Sequence, residues 1–581
     1  MSCISRLRFP FRTSLIVPLA LSVCCSAAAI GQGPAATKPA SEVKLIPVTD
    51  PLVKEKCGTC HTPDAKGNLS RISAVRTTPE GWEEAIKRMV RLNGLQLSPD
   101  EARKILRYLS DAHGLAPEEA TPVEYFAEHR LIDEKLPSPE IQRACASCHA
   151  FAKPMSWRRT PDDWELLKNM HLAFFPSIDG SFRRGGPGST PSQNRSDESA
   201  APPKQPVDLA LEYIKKTNVL MTPAWSNWSS SVQSPKLAGT WVIKGAMPGR
   251  GKFFGTVAIT DKPGTNDYAT ETKITFVDGT TWSGSGTSLV YTGFQWRGRI
   301  AQASKIDGID APNGVRQVML LSNDQSELTG RWFWGTYQEF GLDVTMRRAD
   351  NAATLLGIDI GSLKAGSTDN QVRLYGHNLP AGITADQIAM GPGVKVTSVV
   401  SSTPDMVTIL ASVDAGAAPG KRPVTVANNT VPSAFAVYNH VDFLKVTPVT
   451  AIAHLGSEPH AKGFMQFEAV GFTNGADGKA NTEDDIDLGP VKASWKIEEF
   501  VASYGDDDIQ YVGSMDEKTG LFTPASDGPN PKRKSMRNNY GDVWSVASYT
   551  PPGESKPIIG RAYFVVSIPQ YQQWDQPEVG Q

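Results

Sequence analysis

The sequence predicts a multidomain α plus all-β protein. A helical N-terminal domain comes first, then an antiparallel β-barrel, then two immunoglobulin-like β-sandwiches. Three observations predict it. First, one C-x-x-C-H motif occurs twice within a domain-sized segment, as Cys57-Gly58-Thr59-Cys60-His61 and Cys145-Ala146-Ser147-Cys148-His149. Second, the apolar period is helical as far as Trp225 and changes to two from Ser234 onward. Third, 581 residues are too many for one core, and 50 Gly and 43 Pro suit many short strands and turns.

The repeated motif carries the chemistry. Two thiols one helical turn apart can add to the two vinyl groups of one haem, and the His that follows lies under the iron as its proximal ligand. Cys57, Cys60, Cys145 and Cys148 are therefore read as covalent attachment points, and His61 and His149 as proximal iron ligands. Zinc pairs usually sit ~15–20 residues apart, far closer than these. Redox C-x-x-C motifs need a βαβ pattern that is missing here, and neither alternative explains a His after both pairs. The first domain is thus expected to be a dihaem cytochrome c domain holding two covalent haem c groups.

The rest of the composition bounds the setting. Net charge is −2, and no basic run suggests nucleic acid. Arg6, Arg8 and Arg12, the apolar run Leu15–Val23 and the small residues Ala27-Ala28-Ala29 read as a secretory signal over 1–29. Cys24 and Cys25 raise lipidation as an alternative, although Val23 suits a lipobox poorly. No later stretch is long and apolar enough to span a membrane. Of seven cysteines, three fall in the signal and four are committed to haem, which leaves no thiol for disulfides.

The dihaem domain is expected over 30–230, as units of about 43–120 and 121–230 after a Pro/Ala/Thr linker, Gln32–Ala40. Thr78-Pro79-Glu80 starts a helix with an N-cap, a first-turn proline and an acid, and Trp82, Ile86, Met89 and Val90 share one of its faces. Ser98-Pro99-Asp100-Glu101 has capping-box spacing, with Ala102, Ile105, Leu106 and Leu109 as an apolar stripe and Gly114 as the stop. The second unit repeats this plan. Thr160-Pro161-Asp162-Asp163-Trp164 matches Thr78-Pro79-Glu80-Gly81-Trp82, and Asp208–Ile214 resembles Asp100–Leu109. Between them, Gly180–Pro206 reads as an inserted loop.

That internal alignment names the distal iron ligands. With Trp82 laid on Trp164, Met89 and His171 fall at one position, two helical turns further on. Thioether and imidazole are usual sixth ligands. Met89 is assigned to the haem of Cys57/Cys60, and His171 to that of Cys145/Cys148. Rivals are His113 for the first, and Met155 or Met170 for the second. His113 can also be read as a cation beside a helix C-terminus.

Downstream, Thr240–Ile243, Thr256–Ile259, Lys273–Val277, Gln317–Leu321 and Gly330–Trp334 are strand-like and compose a barrel over 231–350. Asp278-Gly279 and Asn313-Gly314 are turns. Gln371–Gly376, Val394–Val399, Met406–Leu410 and Pro423–Val426 build a sandwich over 351–440. A second sandwich fills 441–581 and includes Gly520–Ala525. Trp332-Phe333-Trp334 fits a barrel strand better than a binding face. Asp477, Asn481, Asp484 and Asp485 sit in a Gly/Asp-rich loop that could hold calcium, but its spacing departs from the EF-hand and favours a solvated acidic turn. No His/Cys/acid cluster with ligand spacing follows Trp225, so the β-domains are expected to be structural.

Two haem motifs followed by a barrel and two immunoglobulin-like sandwiches resemble the α subunit of quinohaemoprotein amine dehydrogenase, over the whole mature chain. The resemblance implies a periplasmic αβγ heterotrimer. Its β subunit is a propeller, its small γ subunit carries a cysteine tryptophylquinone, and the haems of α carry electrons outward from primary amines oxidised to aldehyde and ammonia. The external acceptor would be a small blue copper protein or cytochrome c. Consistent with this, no cysteine is left here to build such a quinone, so no catalytic residue is assigned to this chain. Electrons are expected to flow from the bis-His haem to the His/Met haem, because methionine ligation raises the potential. Two alternatives are a free-standing periplasmic dihaem carrier with β docking domains and a dihaem peroxidase.

Overall fold

A computed structural model describes residues 44–127, 136–146, 148–183, 204–263, 265, 267–303, 314–335, 339–349, 352–502 and 505–569. The expected signal peptide, Cys24 and the Gln32–Ala40 linker lie outside these residues. Helices α1 (Pro51–Cys57), α2 (Pro79–Asn93), α3 (Pro99–Ala112) and α4 (Pro117–Ala120), with strand β1 (Val75–Thr77), build the first unit. The second contains α5 (Pro139–Cys145), α6 (Ala152–Met155), β2 (Trp157–Arg159), α7 (Pro161–Phe174), α8 (Ile178–Arg183), α9 (Pro206–Thr217) and α10 (Pro223–Ser231). The prolines taken as turn markers largely open helices in this half of the chain. They occupy the first turn of α1 to α5, α7, α9 and α10, where the missing N–H costs nothing.

The expected starts are present. Thr78 and Thr160 accept the N–H of Gly81 and Asp163, and Ser98 forms a full capping box with Glu101. Helix α3 stops as expected, at Ala112 with His113 as its C-cap and Gly114 just beyond, and Gly114 there allows close approach, since a Cβ would meet Ser110 O at 2.2 Å and Thr292 Oγ1 at 2.6 Å. One expectation needs correction. The loop read from Gly180 begins as helix through Arg183, and 184–203 lie outside the described residues.

The two units are joined about a local two-fold. Strands β1 and β2 pair antiparallel, with Val75 opposite Arg159, Arg76 opposite Arg158 and Thr77 opposite Trp157. The alignment that lays Thr78 on Thr160 also lays Arg76 on Arg158, so the central pair joins equivalent residues and the flanking pairs, Val75 with Arg159 and Thr77 with Trp157, exchange under the two-fold. The packing behind it repeats as well. The Thr77 N–H and the Trp82 indole both donate to His113 O, at 3.1 and 2.9 Å. Their counterparts, the Arg159 N–H and the Trp164 indole, donate to Asn218 O at 3.2 and 3.3 Å.

Beyond α10, eight strands close an up-and-down antiparallel barrel. They are β3 (Gly239–Met247), β4 (Gly251–Asp261), β5 (Asp267–Phe276), β6 (Thr281–Tyr291), β7 (Gln295–Ala303), β8 (Val315–Leu321), β9 (Glu327–Trp334) and β10 (Phe340–Arg348), with β10 pairing back onto β3. The interior is filled, with Trp241, Trp296 and Trp332 fully buried in one core. In the aromatic run, Trp332 and Trp334 join that core, while Phe333 turns outward and packs on Tyr125 at 5.3 Å. The run is a barrel strand, as expected.

Two more β units follow. In the first, the sheet of Thr354–Ile358, Asn370–His377, Met406–Val413 and Val394–Ser402 packs on that of Ser362–Lys364, Asn429–Tyr438, Gly420–Val426 and Ile388–Ala389. Val372, Leu374, Val424 and Phe435 meet in the core between them. The second unit centres on the sheet of Thr450–His454, Ile558–Ser567, Gly541–Tyr549 and Ser494–Glu499, flanked by two three-stranded sheets. No helix among the described residues is long and apolar enough to cross a membrane.

Candidate haem centres

Each C-x-x-C-H motif starts on the last residue of a short helix. Asp50 caps α1 through the Val53 N–H, and Ser138 caps α5 through that of Ile141. Cys57 and Cys145 end these helices half-buried, while Cys60 and Cys148 are exposed, and none of the four is in a disulfide. Burial pushes the Cys57 thiol up and that of Cys145 up to about 12.

The imidazoles are set by backbone carbonyls. His61 Nδ1 lies 2.8 Å from Ser70 O, and His149 Nδ1 lies 3.0 Å from Ala150 O. A carbonyl only accepts, so Nδ1 carries the proton and Nε2 keeps its lone pair. This is the arrangement that fixes the tautomer of a metal-binding His. His171, in the last turn of α7, is held in the same way, with Nδ1 at 2.9 Å from Leu167 O. Burial, with smaller contributions from Lys153 and His171, lowers the His149 pKa against the opposing Ala150 bond and so favours the neutral ring.

The sixth-ligand candidates take equivalent places. Met89 lies half-buried near the end of α2, where its sulfur accepts from Asn93 Nδ2 at 3.7 Å. Around it and around His171, the outward-facing apolar side chains Val90, Leu92, Leu166, Phe174 and Phe175 offer the kind of surface a porphyrin covers. Paired thiols, oriented imidazoles and apolar flanks together fit a haem at each motif.

The rivals are placed elsewhere. His113 is fully buried, edge-on to Trp82 at 6.0 Å between ring centroids, at the position Asn218 holds in the second unit. It is not the helix-end cation expected from sequence, because burial pushes its pKa down to about 4 and leaves it neutral. Met155 packs against both the core of the helical domain and the barrel core. Met170 Sδ accepts from Arg88 Nη1 at 3.4 Å.

Sequence reasoning missed the buried ions that frame these units. Glu119 receives Arg76 at 2.7 and 2.9 Å, Arg158 Nε at 3.2 Å and Thr222 Oγ1 at 2.8 Å. Burial alone would raise its pKa, but the bonds and charge of Arg76, with Arg158, hold it down to about 2. Glu80, read only as a first-turn acid, accepts from Arg297 at 2.6 and 3.1 Å and from Arg316 at 2.8 Å. No local pattern signals either partner. Far from the haem motifs, Glu499, Asp506 and Asp508 converge within 4.8 Å, against the expectation of no acid cluster beyond Trp225. Arg533 and Arg537 meet Asp508 there. In the Gly/Asp-rich loop, Asp477 and Asp484 accept from the loop's own Lys479 and Asp477 N–H groups.

Comparison with known proteins covers the chain in four consecutive pieces. Residues 48–183 match the family described as quinohemoprotein amine dehydrogenase A, alpha subunit, haem binding. Residues 234–349, 352–439 and 444–579 match domains II, III and IV of the quinohemoprotein amine dehydrogenase alpha subunit. No curated protein sequence matches. Among solved structures, a redesigned β-barrel bound to DFHBI is 16% identical over 19% of this chain and 94% of its own, with a TM-score of 0.16. Drosophila N-cadherin EC1-3 is 6% identical over 53% and 91%, with a TM-score of 0.19. A teleost fish polymeric Ig receptor ectodomain is 11% identical over 38% and 100%, with a TM-score of 0.16.

Proposed function

The chain belongs to the family of quinohaemoprotein amine dehydrogenase α subunits, members of an oxidoreductase complex, and from that premise we propose that it is the dihaem electron-transfer subunit of a periplasmic enzyme of this kind. Cys57 and Cys60 hold one haem c and Cys145 and Cys148 the other, with His61 and His149 as proximal ligands and Met89 and His171 as distal ones. Bound there, each haem supplies a one-electron store. The amine-oxidising cysteine tryptophylquinone sits on a small partner subunit beside a propeller subunit, and a small copper protein or cytochrome c takes the electrons away. Electrons pass from the bis-His centre to the His/Met centre.

One observation carries this reading: the carbonyl bonds that aim Nε2 of His61 and His149 recur in two units built on one plan. The test is purification from the native host. A propeller subunit and a quinone-staining small subunit should accompany a chain carrying two covalent haems. A chain that always purifies alone would overturn the complex, and a potential higher at Cys145/Cys148 would overturn the direction of flow.

A further inference from the structure

Helices α2 and α7 touch where Arg88 Nη1 meets Met170 Sδ, at 3.4 Å. This contact has the symmetry of the ladder. The alignment that pairs Arg76 with Arg158 also pairs Arg88 with Met170, so the same local two-fold passes through both contacts. One residue beyond the crossing on either side stand Met89 and His171. The second motif also reaches the first unit: Lys153, four residues past His149, bridges to Glu84 of α2 at 3.0 Å.

We propose that the Arg88–Met170 crossing is the contact through which an electron passes between the two haem units, with Arg88 as the positioning residue that holds it closed. The inference rests on Met89 and His171 being the sixth ligands. The step is a one-electron exchange: ferrous iron in one unit becomes ferric as ferric iron in the other becomes ferrous. No bond forms or breaks and no proton moves. Three physical points favour this contact. It is the place where residues adjoining the two ligands touch. Its acceptor atom is a polarizable thioether sulfur. The other symmetric contact, the β1–β2 ladder, lies at the N-terminal ends of the same helices, roughly 16 Å along the axis from the ligands at 1.5 Å per residue.

The test uses the complete chain with both haems in its native complex. One haem is reduced by a flash, and the relaxation between the two is followed optically at matched potentials. Arg88→Ala and Met170→Ala should each slow it about tenfold, the lower end of what loss of a group beside a metal ligand costs. Arg88→Lys, which keeps a donor, should recover most of the rate. Arg71→Ala removes a different cross-unit ion pair, Arg71 to Asp163 at 2.7 Å, and should leave the rate unchanged. Wild-type rates in both alanine variants would overturn the proposal. So would equal slowing in Arg71→Ala, because generic loosening would then explain the effect. The far-red methionine–iron band separates this from the ligand reading. Its persistence in Met89→Ala would overturn the ligand assignment alone, whereas its loss in Arg88→Ala would convert the slowing into ligand loss and overturn the route.

Discussion

Met89 and His171 occupy one position of a duplicated helix, and with the proposed ligation that position would make the two haem sites chemically unequal. A methionine–iron charge-transfer band should be present in the ferric wild type, vanish in Met89→Ala and survive in His171→Ala; a band that survives in both would mean that another methionine ligates. The repeat also explains His113. Asn218, its counterpart, turns its Nδ2 toward the Pro154, Met155 and Trp157 carbonyls and carries no charge. His113 keeps the same buried place with a ring that can titrate, and its pKa is about 4 against 6.5 in water. A neutral His of this kind stabilises the fold above pH 6.5 and loses that contribution as pH falls toward 4, since the unfolded chain takes up the proton first. The loss amounts to about 3 kcal/mol at ~1.4 kcal/mol per pKa unit. Urea unfolding between pH 7 and 4 should therefore be steeper in pH for the wild type than for His113→Asn. Equal slopes would remove His113 from the balance.

Among the elements, α2 and α7 were legible because their signals are local. Thr-Pro-acid starts and a Trp one turn in are readable from consecutive residues, and both helices begin where expected. The ladder between β1 and β2 was not legible, because three-residue strands carry no period. Nor was Glu119, whose partners Arg76 and Arg158 lie on those two strands and meet only when the units dock. With two guanidiniums on one carboxylate, Glu119 is the counter-ion of the two-fold. Removing one partner from a buried ion cluster costs about 3–5 kcal/mol, because the remaining charges are left uncompensated. Glu119→Ala should therefore lower stability by that amount, read from denaturant unfolding followed at the Soret band. Thr160→Ala, which removes only the α7 cap, should cost about 1 kcal/mol. If the two variants lost the same amount, the Arg76–Glu119–Arg158 cluster would be no more than a surface-like contact.

At the scale of the whole molecule, the order of domains follows from the change of period near Ser234, and a closed barrel follows from regularly spaced strands. What holds the barrel to the helical domain does not follow from either. Glu80 on α2 and Glu124 both receive Arg297 of β7, and Arg316 of β8 adds a third link to Glu80. These side chains are buried, so the interface behaves like a core that contains charges. Burial, with the neighbouring Glu80 charge, raises Glu124 to about 7 despite Arg297, while the two guanidiniums keep Glu80 low although burial opposes it. Thr292 adds a latch outside the ion cluster, its N–H donating to Asp111 Oδ1 at 2.6 Å and its hydroxyl to Ser110 O at 2.8 Å. Because Glu80 sits in the first turn of the helix that carries Met89, the barrel also anchors the helix proposed to supply a distal ligand. In Arg297→Leu, two buried carboxylates would lose their shared partner. The docking of the two domains should weaken by about 3–5 kcal/mol, the cost of leaving buried charge unpaired. In the wild type, haem absorbance and far-UV circular dichroism should report one urea transition. In Arg297→Leu the haem transition should move to lower urea and separate from that of the sheets, while Arg316→Leu, which leaves Glu80 its Arg297 bonds, should separate them less. Coincident and unshifted transitions in Arg297→Leu would show that Thr292 and the apolar contacts hold the domains together without the ion cluster.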